Sequence, residues 1–167
     1  MKYRRLTDSE LAAVEPQLKQ FLVAHGVMSD DWRKMNEETP EKAIELVDIF
    51  SDTLFDSMLK NVQYMMHVSA KDLRVFKCGE TMLSLLGLKV VGDTPVAFTE
   101  SPWSEDLVRA IQEAGGQHLQ SVRTMKPYET KDRELELFKM MESGCVMTAV
   151  QIWDLLDTLI PESGESA

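Results

Sequence analysis

The chain has 167 residues, 44% of them hydrophobic and 28% charged, and its 28 acids against 18 bases give a formal net charge of −10. That length fits one domain able to bury roughly two-thirds of the surface its unfolded chain exposes. The charge argues against sequence-independent binding to nucleic acid or to an anionic membrane, both of which need a basic surface, and leaves a protein with a basic surface as the partner the field would attract.

In chain order, MKYRRLTDSE carries the one basic cluster, Lys2, Arg4 and Arg5, and no apolar run of the kind a signal peptide needs. On so acidic a chain these cations are expected to pair internally or with a second copy. LTDSELAAVEPQLKQFLVAHGV reads as a first helix, with Thr7 and Glu10 at capping-box spacing, Leu11, Val14, Leu18, Phe21 and Leu22 as its apolar set, and Gly26 as its stop. Pro16 lies inside it, where the segment can divide. A short helix follows, opened by Ser29 or Asp30. Thr39 with Pro40 then opens a long one, expected over residues 40–66. In that helix Glu41, Glu45, Asp48, Asp52 and Asp56 share a narrow arc, and Ile44, Val47, Phe50, Leu54, Phe55, Met58, Val62 and Met65 spread over the other side; Ile49 and Leu59 break the division.

A β-hairpin is expected around residues 73–91, with strands 73–78 and 81–91 joined at Gly79-Glu80; the leucines of the second run also allow a helix. GDTPVAFTESPWSE reads as a loop, and Ser104 caps a helix closed by Gly115-Gly116. A third strand lies in QHLQSVRTMKPYE. Two helices follow, one capped by Thr130 and stopped by Gly144, one built on Ile152, Trp153, Leu155, Leu156 and Leu159, and then a polar tail. Helices, a hairpin region and helices again make an α+β chain: a long central helix packed by N- and C-terminal helices, with a small antiparallel sheet, as one domain over 1–160 and a flexible tail over 161–167. No segment approaches 18 uninterrupted apolar residues, so no membrane span is expected.

Chemistry-bearing motifs are scarce. Phosphate loops, HExxH and nucleophile-elbow spacings are absent, and no cofactor or metal is expected. Cys78 and Cys145 lack CxxC spacing and read as small buried hydrophobes in a reducing cytoplasm. His67, expected at a helix end, would be favoured there as an imidazolium; together with Cys78 it is the candidate for a ligand pocket or a nucleophilic pair. The row Glu45, Asp48, Asp52 and Asp56 reads first as a solvated face, and otherwise as a docking face for a basic partner. Trp103, between Pro102 and Ser104, is either a lid on the core or an anchor for a partner.

The segments MKYRRLT, QFLVAHGV, DDW, PEKAIELVDIFSD and VQYMMHVSAKDLRVFKC together resemble a family of small acidic proteins from Bacteroidota, a domain of unknown function. The resemblance implies a bacterial cytoplasmic protein and one domain over most of the chain, and it brings no activity or site residue with it. The functional expectation is a non-enzymatic interaction module using the acidic face or the Trp103 loop. Its alternatives are a small enzyme or ligand-binding protein with a pocket near His67 and Cys78, and a structural homodimer.

Overall fold

The computed structural model describes residues 1–93, 97–98 and 118–162. The expected helix over 105–115, Trp103 with its loop, and the end of the tail lie outside the described residues. Within them the chain is α+β, with six helices and one five-stranded antiparallel sheet. It divides into two compact units, Met1–Asn61 and Val62–Ala167.

The first unit is helical: α1 (Asp8–Ala13), α2 (Glu15–Ala24), α3 (Ser29–Glu38) and α4 (Pro40–Lys60). Thr7 and Glu10 cap α1 reciprocally, the Thr7 hydroxyl accepting from the Glu10 amide and the Glu10 carboxylate from the Thr7 amide. Pro16 stands in the first turn of α2, where its missing N–H would have had no helical partner, so the helical run divides just before it. The cap of α3 falls on Met28, whose amide donates to Asp31, and not on the expected Ser29 or Asp30. Thr39 precedes Pro40 as expected, but its hydroxyl turns back to the Met35 carbonyl, so its side chain does not cap α4.

The long helix is shorter than its apolar pattern suggested. It ends at Lys60, and Tyr64–Ser69 is a strand, β1. Val62 and Met65 are therefore not helix-core residues, and His67 stands on a strand and not at a helix terminus. The run VQYMMHVS carries the β-branched and aromatic residues that suit a pleated, half-buried surface. The buried positions of α4 are Ala43, Phe50, Ser51, Phe55 and Leu59. Phe50 meets Phe21 with ring centroids 5.3 Å apart. Ile44 was expected inside and is 45% exposed, whereas Leu59, at an angle within the acidic arc, is fully buried. Ser51, Phe55 and Leu59 form an i,i+4 row beside the row Asp48, Asp52, Asp56, so the buried side reaches further round the helix than hydropathy alone implies.

The second unit holds β1, β2 (Asp72–Cys78), β3 (Met82–Val90), β4 (Leu119–Pro127), α5 (Arg133–Glu142), β5 (Val146–Met147) and α6 (Val150–Leu159), with sheet order β4-β3-β2-β1-β5. β2 and β3 pair from Asp72↔Lys89 to Cys78↔Leu83, which settles the second apolar run as strand. Alternation gives the sheet two unlike faces. On one, Met66, Leu73, Val75, Leu86, Leu88 and Val90 are closed over by Phe98 and by Ile152, Trp153, Leu156 and Ile160 of α6 and its end. Arg123 of β4 fixes that helix from below, donating to Asp157 Oδ1 at 2.7 Å and to the Ile160 carbonyl at 2.6 Å, where the helix dipole favours a cation.

The other face carries α5, held by one guanidinium. Arg133 opens α5, and its Nε donates to the Gly79 carbonyl at 2.9 Å, its Nη2 to those of Cys78 at 3.1 Å and of Val62. Tyr128 donates its hydroxyl to the same Gly79 oxygen. One side chain, 15% exposed, thus satisfies carbonyls at the end of β2 and just before β1. Arg133→Met keeps the stem but removes the charged donor from the Cys78 and Val62 carbonyls, leaving that of Gly79 to Tyr128; urea denaturation should read a loss of about 3 kcal/mol, at the upper end of the range for bonds to a charged donor. Arg133→Lys should recover only part of it, because an ammonium cannot reproduce the fork.

Candidate ligand-binding site

A cavity of about 390 Å³ opens between α5 and the second face of the sheet. Its floor comes from the strand register. His67, Arg74, Gly87 and Val122 form one cross-strand row on this face, Met65, Phe76, Leu85 and Thr124 the next, and Cys78, Leu83 and Lys126 the one beyond. His67, Arg74, Phe76, Leu83 and Lys126 line the cavity. Glu136, Lys139, Met140 and Ser143 form its wall, three or four residues apart and so on one side of α5 and its C-cap.

The cavity is apolar at its base and charged at its mouth. Phe76, Leu83 and Met140 supply the apolar surface; Arg74, Lys126 and Lys139 stand against Glu129 and Glu136. That balance reverses the one of the whole chain. At one end the charges are mutually engaged: Lys126 pairs with Glu129 at 2.9 Å, which holds that carboxyl below its usual range, and Glu136 accepts from the Thr130 amide. At the other end Asp72 takes Nε and Nη2 of Arg74 at 2.8 and 3.0 Å. Among the described residues, Lys139 has no ion pair within 4 Å and the His67 ring no hydrogen bond. A second hollow of about 290 Å³ continues past Arg74 over Gly87 and Val122. Gly87 keeps it open: a Cβ there would stand 3.2 Å from Val122 Cγ1.

Register separates the two residues singled out for a pocket. Cys78 lies beside Gln63, bonded through its amide, while His67 pairs with Arg74. They share a face but stand four positions apart along it, about 13 Å at the usual strand rise. They therefore form no nucleophilic pair. Cys78 is buried beside the cavity, and burial pushes its thiol up to about 12. The cysteine next to His67 is Cys145, which follows Gly144 (φ +101°), a left-handed position suited to glycine. A Cβ on Gly144 would lie 3.7 Å from His67 Cδ2 and Nε2, so the imidazole rests over this turn. Burial raises the Cys145 thiol, opposed by Ser143 and by Arg74. Both cysteines are free. Among the described residues, no group of three His, Cys, Asp or Glu side chains is placed to hold a metal ion, and no helix is long and apolar enough to cross a membrane.

The acidic row of α4, in the other unit, was expected to face water. Three of its four members instead hold the N-terminal segment. Asp52 accepts from the backbone amides of Lys2 and Tyr3 at 2.6 and 2.9 Å. Asp56 accepts from Lys2 Nζ at 2.9 Å and from the Tyr3 hydroxyl at 3.0 Å, and pairs with Lys60. Asp48 takes Arg5 bidentately at 2.6 and 3.0 Å. Lys60 first, then Lys2 and Tyr3, keep the Asp56 carboxyl well below its usual range; Arg5 lowers that of Asp48. Between these bonds the Tyr3 ring packs on Phe55, and the Leu6 amide donates to buried Ser51. The basic cluster thus pairs within the chain, Arg4 with Glu10 included. Glu45 stays exposed, with no ion pair among the described residues.

Sequence reading singled out His67 but not Arg74, Lys139, Met140 and Cys145 as lining the same cavity, nor Lys126 farther along the same face. Alternation in HVS and LRVFKC, and the spacing of Glu136, Lys139 and Ser143, mark each set as one-sided. Only the register and the placement of α5 bring the sets together. Comparison with known proteins finds no match among curated proteins and none among solved structures. A family model, described as "Family of unknown function (DUF6495)", matches residues 1–161.

Two outcomes are expected. Asp52→Lys removes the acceptor of two backbone amides and repels Lys2, so chemical denaturation should show a loss of about 2 kcal/mol, with faster amide exchange at Lys2 and Tyr3. In iodoacetamide at pH 8 the folded protein should leave Cys78 unmodified while denatured chain reacts fully, because the buried thiol holds its proton. Rapid labelling of native Cys78 would contradict the burial.

Proposed function

We propose that this chain, which belongs to the family of unknown function matched over residues 1–161, is a non-enzymatic small-molecule-binding protein whose site is the cavity between α5 and the sheet. The observation that carries the reading is the cavity's construction: about 390 Å³, within the range of ligand sites, with an apolar base and a few polar groups converging at its mouth. The buried thiols support binding over nucleophilic chemistry, since a thiol that keeps its proton is a poor nucleophile. Two free cysteines and a net charge of −10 fit a reducing cytoplasm and a partner other than nucleic acid.

An interaction module acting through Asp48, Asp52 and Asp56 is the second reading, and what favours it is that this row already receives a basic extended segment, Lys2 to Arg5. A protein partner would have to displace that segment, which ranks this reading below the cavity.

Fragment screening by amide NMR tests the first reading. Hits should shift the amides of His67, Phe76, Met140 and Cys145, and Met140→Trp, which fills the cavity, should abolish those shifts without unfolding the chain. A ligand at a hundred times its Kd should stabilise the fold by about 2.7 kcal/mol. Hits that map elsewhere, or that bind Met140→Trp equally well, would overturn the reading.

A further inference from the structure

Resting on the reading of the cavity as a ligand site, we infer that its ligand is an organic anion with an apolar body, its head among His67, Arg74 and Lys139 and its body on Phe76, Leu83 and Met140. Four observations carry this. The cavity gathers Arg74, Lys126, Lys139 and His67 against two carboxylates, on a chain whose acids exceed its bases. Three groups keep donors without a protein acceptor: among the described residues Lys139, whose charge also reaches the Glu129 carboxyl, has no ion pair within 4 Å, the His67 ring has no hydrogen bond, and Arg74 gives Asp72 only Nε and Nη2, leaving Nη1. The two carboxylates are bonded within the chain, Glu129 to Lys126 and Glu136 to the Thr130 amide, so a cationic ligand would meet acceptors already in use. Between the His67–Arg74 row and the Leu83–Lys126 row the floor is Phe76 and Leu83 over about 13 Å of strand. Such a floor can bury an alkyl or aryl body and cannot solvate a second charge.

A carboxylate head fits these donors. The guanidinium supplies a directed N–H, the Lys139 ammonium reaches in from the middle of the helix wall, and the imidazole rests over Gly144 beside Cys145. Charge-assisted bonds of this kind are roughly twice as strong as neutral ones. The protein's own acids then act at a distance, disfavouring anions that cannot reach these donors.

The test uses the full chain and three probes of one shape, octanoate, 1-octanol and octylammonium, titrated by amide NMR into wild type and Lys139→Met. Lys139 is exposed and its substitution keeps the apolar stem, so folding is preserved. Octanoate should shift His67, Phe76 and Met140 and bind at least about tenfold more tightly than octanol, the margin of one added charge-assisted bond; Lys139→Met should remove most of that margin. Equal affinity for octanoate and octanol, or a preference for octylammonium, with shifts still at the cavity, would overturn the anion and leave the ligand site standing. Octanoate shifts at Gln120 and Val122 alone would place it in the second hollow and overturn the assigned head. If none of the three probes shifts the cavity residues, the anion and the ligand site fall together.

Discussion

The two-residue period of the strands is the constraint on which the second unit rests. Side chains one position apart must point to opposite faces, so a register shift of one would exchange the whole contents of the two faces. In register, one face presents Val75, Leu86 and Leu88 to α6 and is closed. The other presents His67, Arg74, Phe76 and Lys126, too polar and too uneven in size to be sealed. A cavity is what remains when one helix, α5, covers such a face incompletely. The Arg133 fork sets where that helix starts, through carbonyls at the end of β2 and just before β1.

The first unit resolves a different conflict. Like charges one helical turn apart repel, and α4 carries Asp48, Asp52 and Asp56 in such a row. The row is stable because it is occupied. Two backbone amides, one ammonium, one phenol and one guanidinium from residues 2–5 distribute their charge among the three carboxylates. The same segment lies beside the buried row Ser51, Phe55 and Leu59, which explains why a helix that looks half acidic has its buried side wrapped so far round.

The cavity and the acidic row draw on one inventory of charge and use it in opposite ways. Where cations meet acids within hydrogen-bond reach, as at Arg5 and Asp48, the pair is structural. At the cavity Arg74 is paired with Asp72 in the same way, but its Nη1, the Lys139 ammonium and the His67 ring have no ion-pair or hydrogen-bond partner among the described residues, so donors remain there. That difference in pairing, and not the residue types themselves, marks the second group as the candidate site.

Local features were legible in the residues. The Thr7–Glu10 cap, the start of α4 at Pro40, the paired strands within 73–91, a third strand within 117–129 and the last two helices follow from periods and punctuation that neighbouring residues set among themselves, although α5 is capped by Asp132, which accepts from the Leu135 amide, and not by the expected Thr130. The end of α4 was misjudged because an apolar run such as VQYMMHVS satisfies both periods over a short span. Tertiary structure alone decided what the acidic row does, since the cations that meet it lie some fifty residues away in sequence. It also decided that His67 belongs with Arg74, Lys139 and Cys145 and not with Cys78. Pairing across strands and the seating of α5 are long-range choices, made by packing energy summed over many contacts, and no window of neighbouring residues contains them.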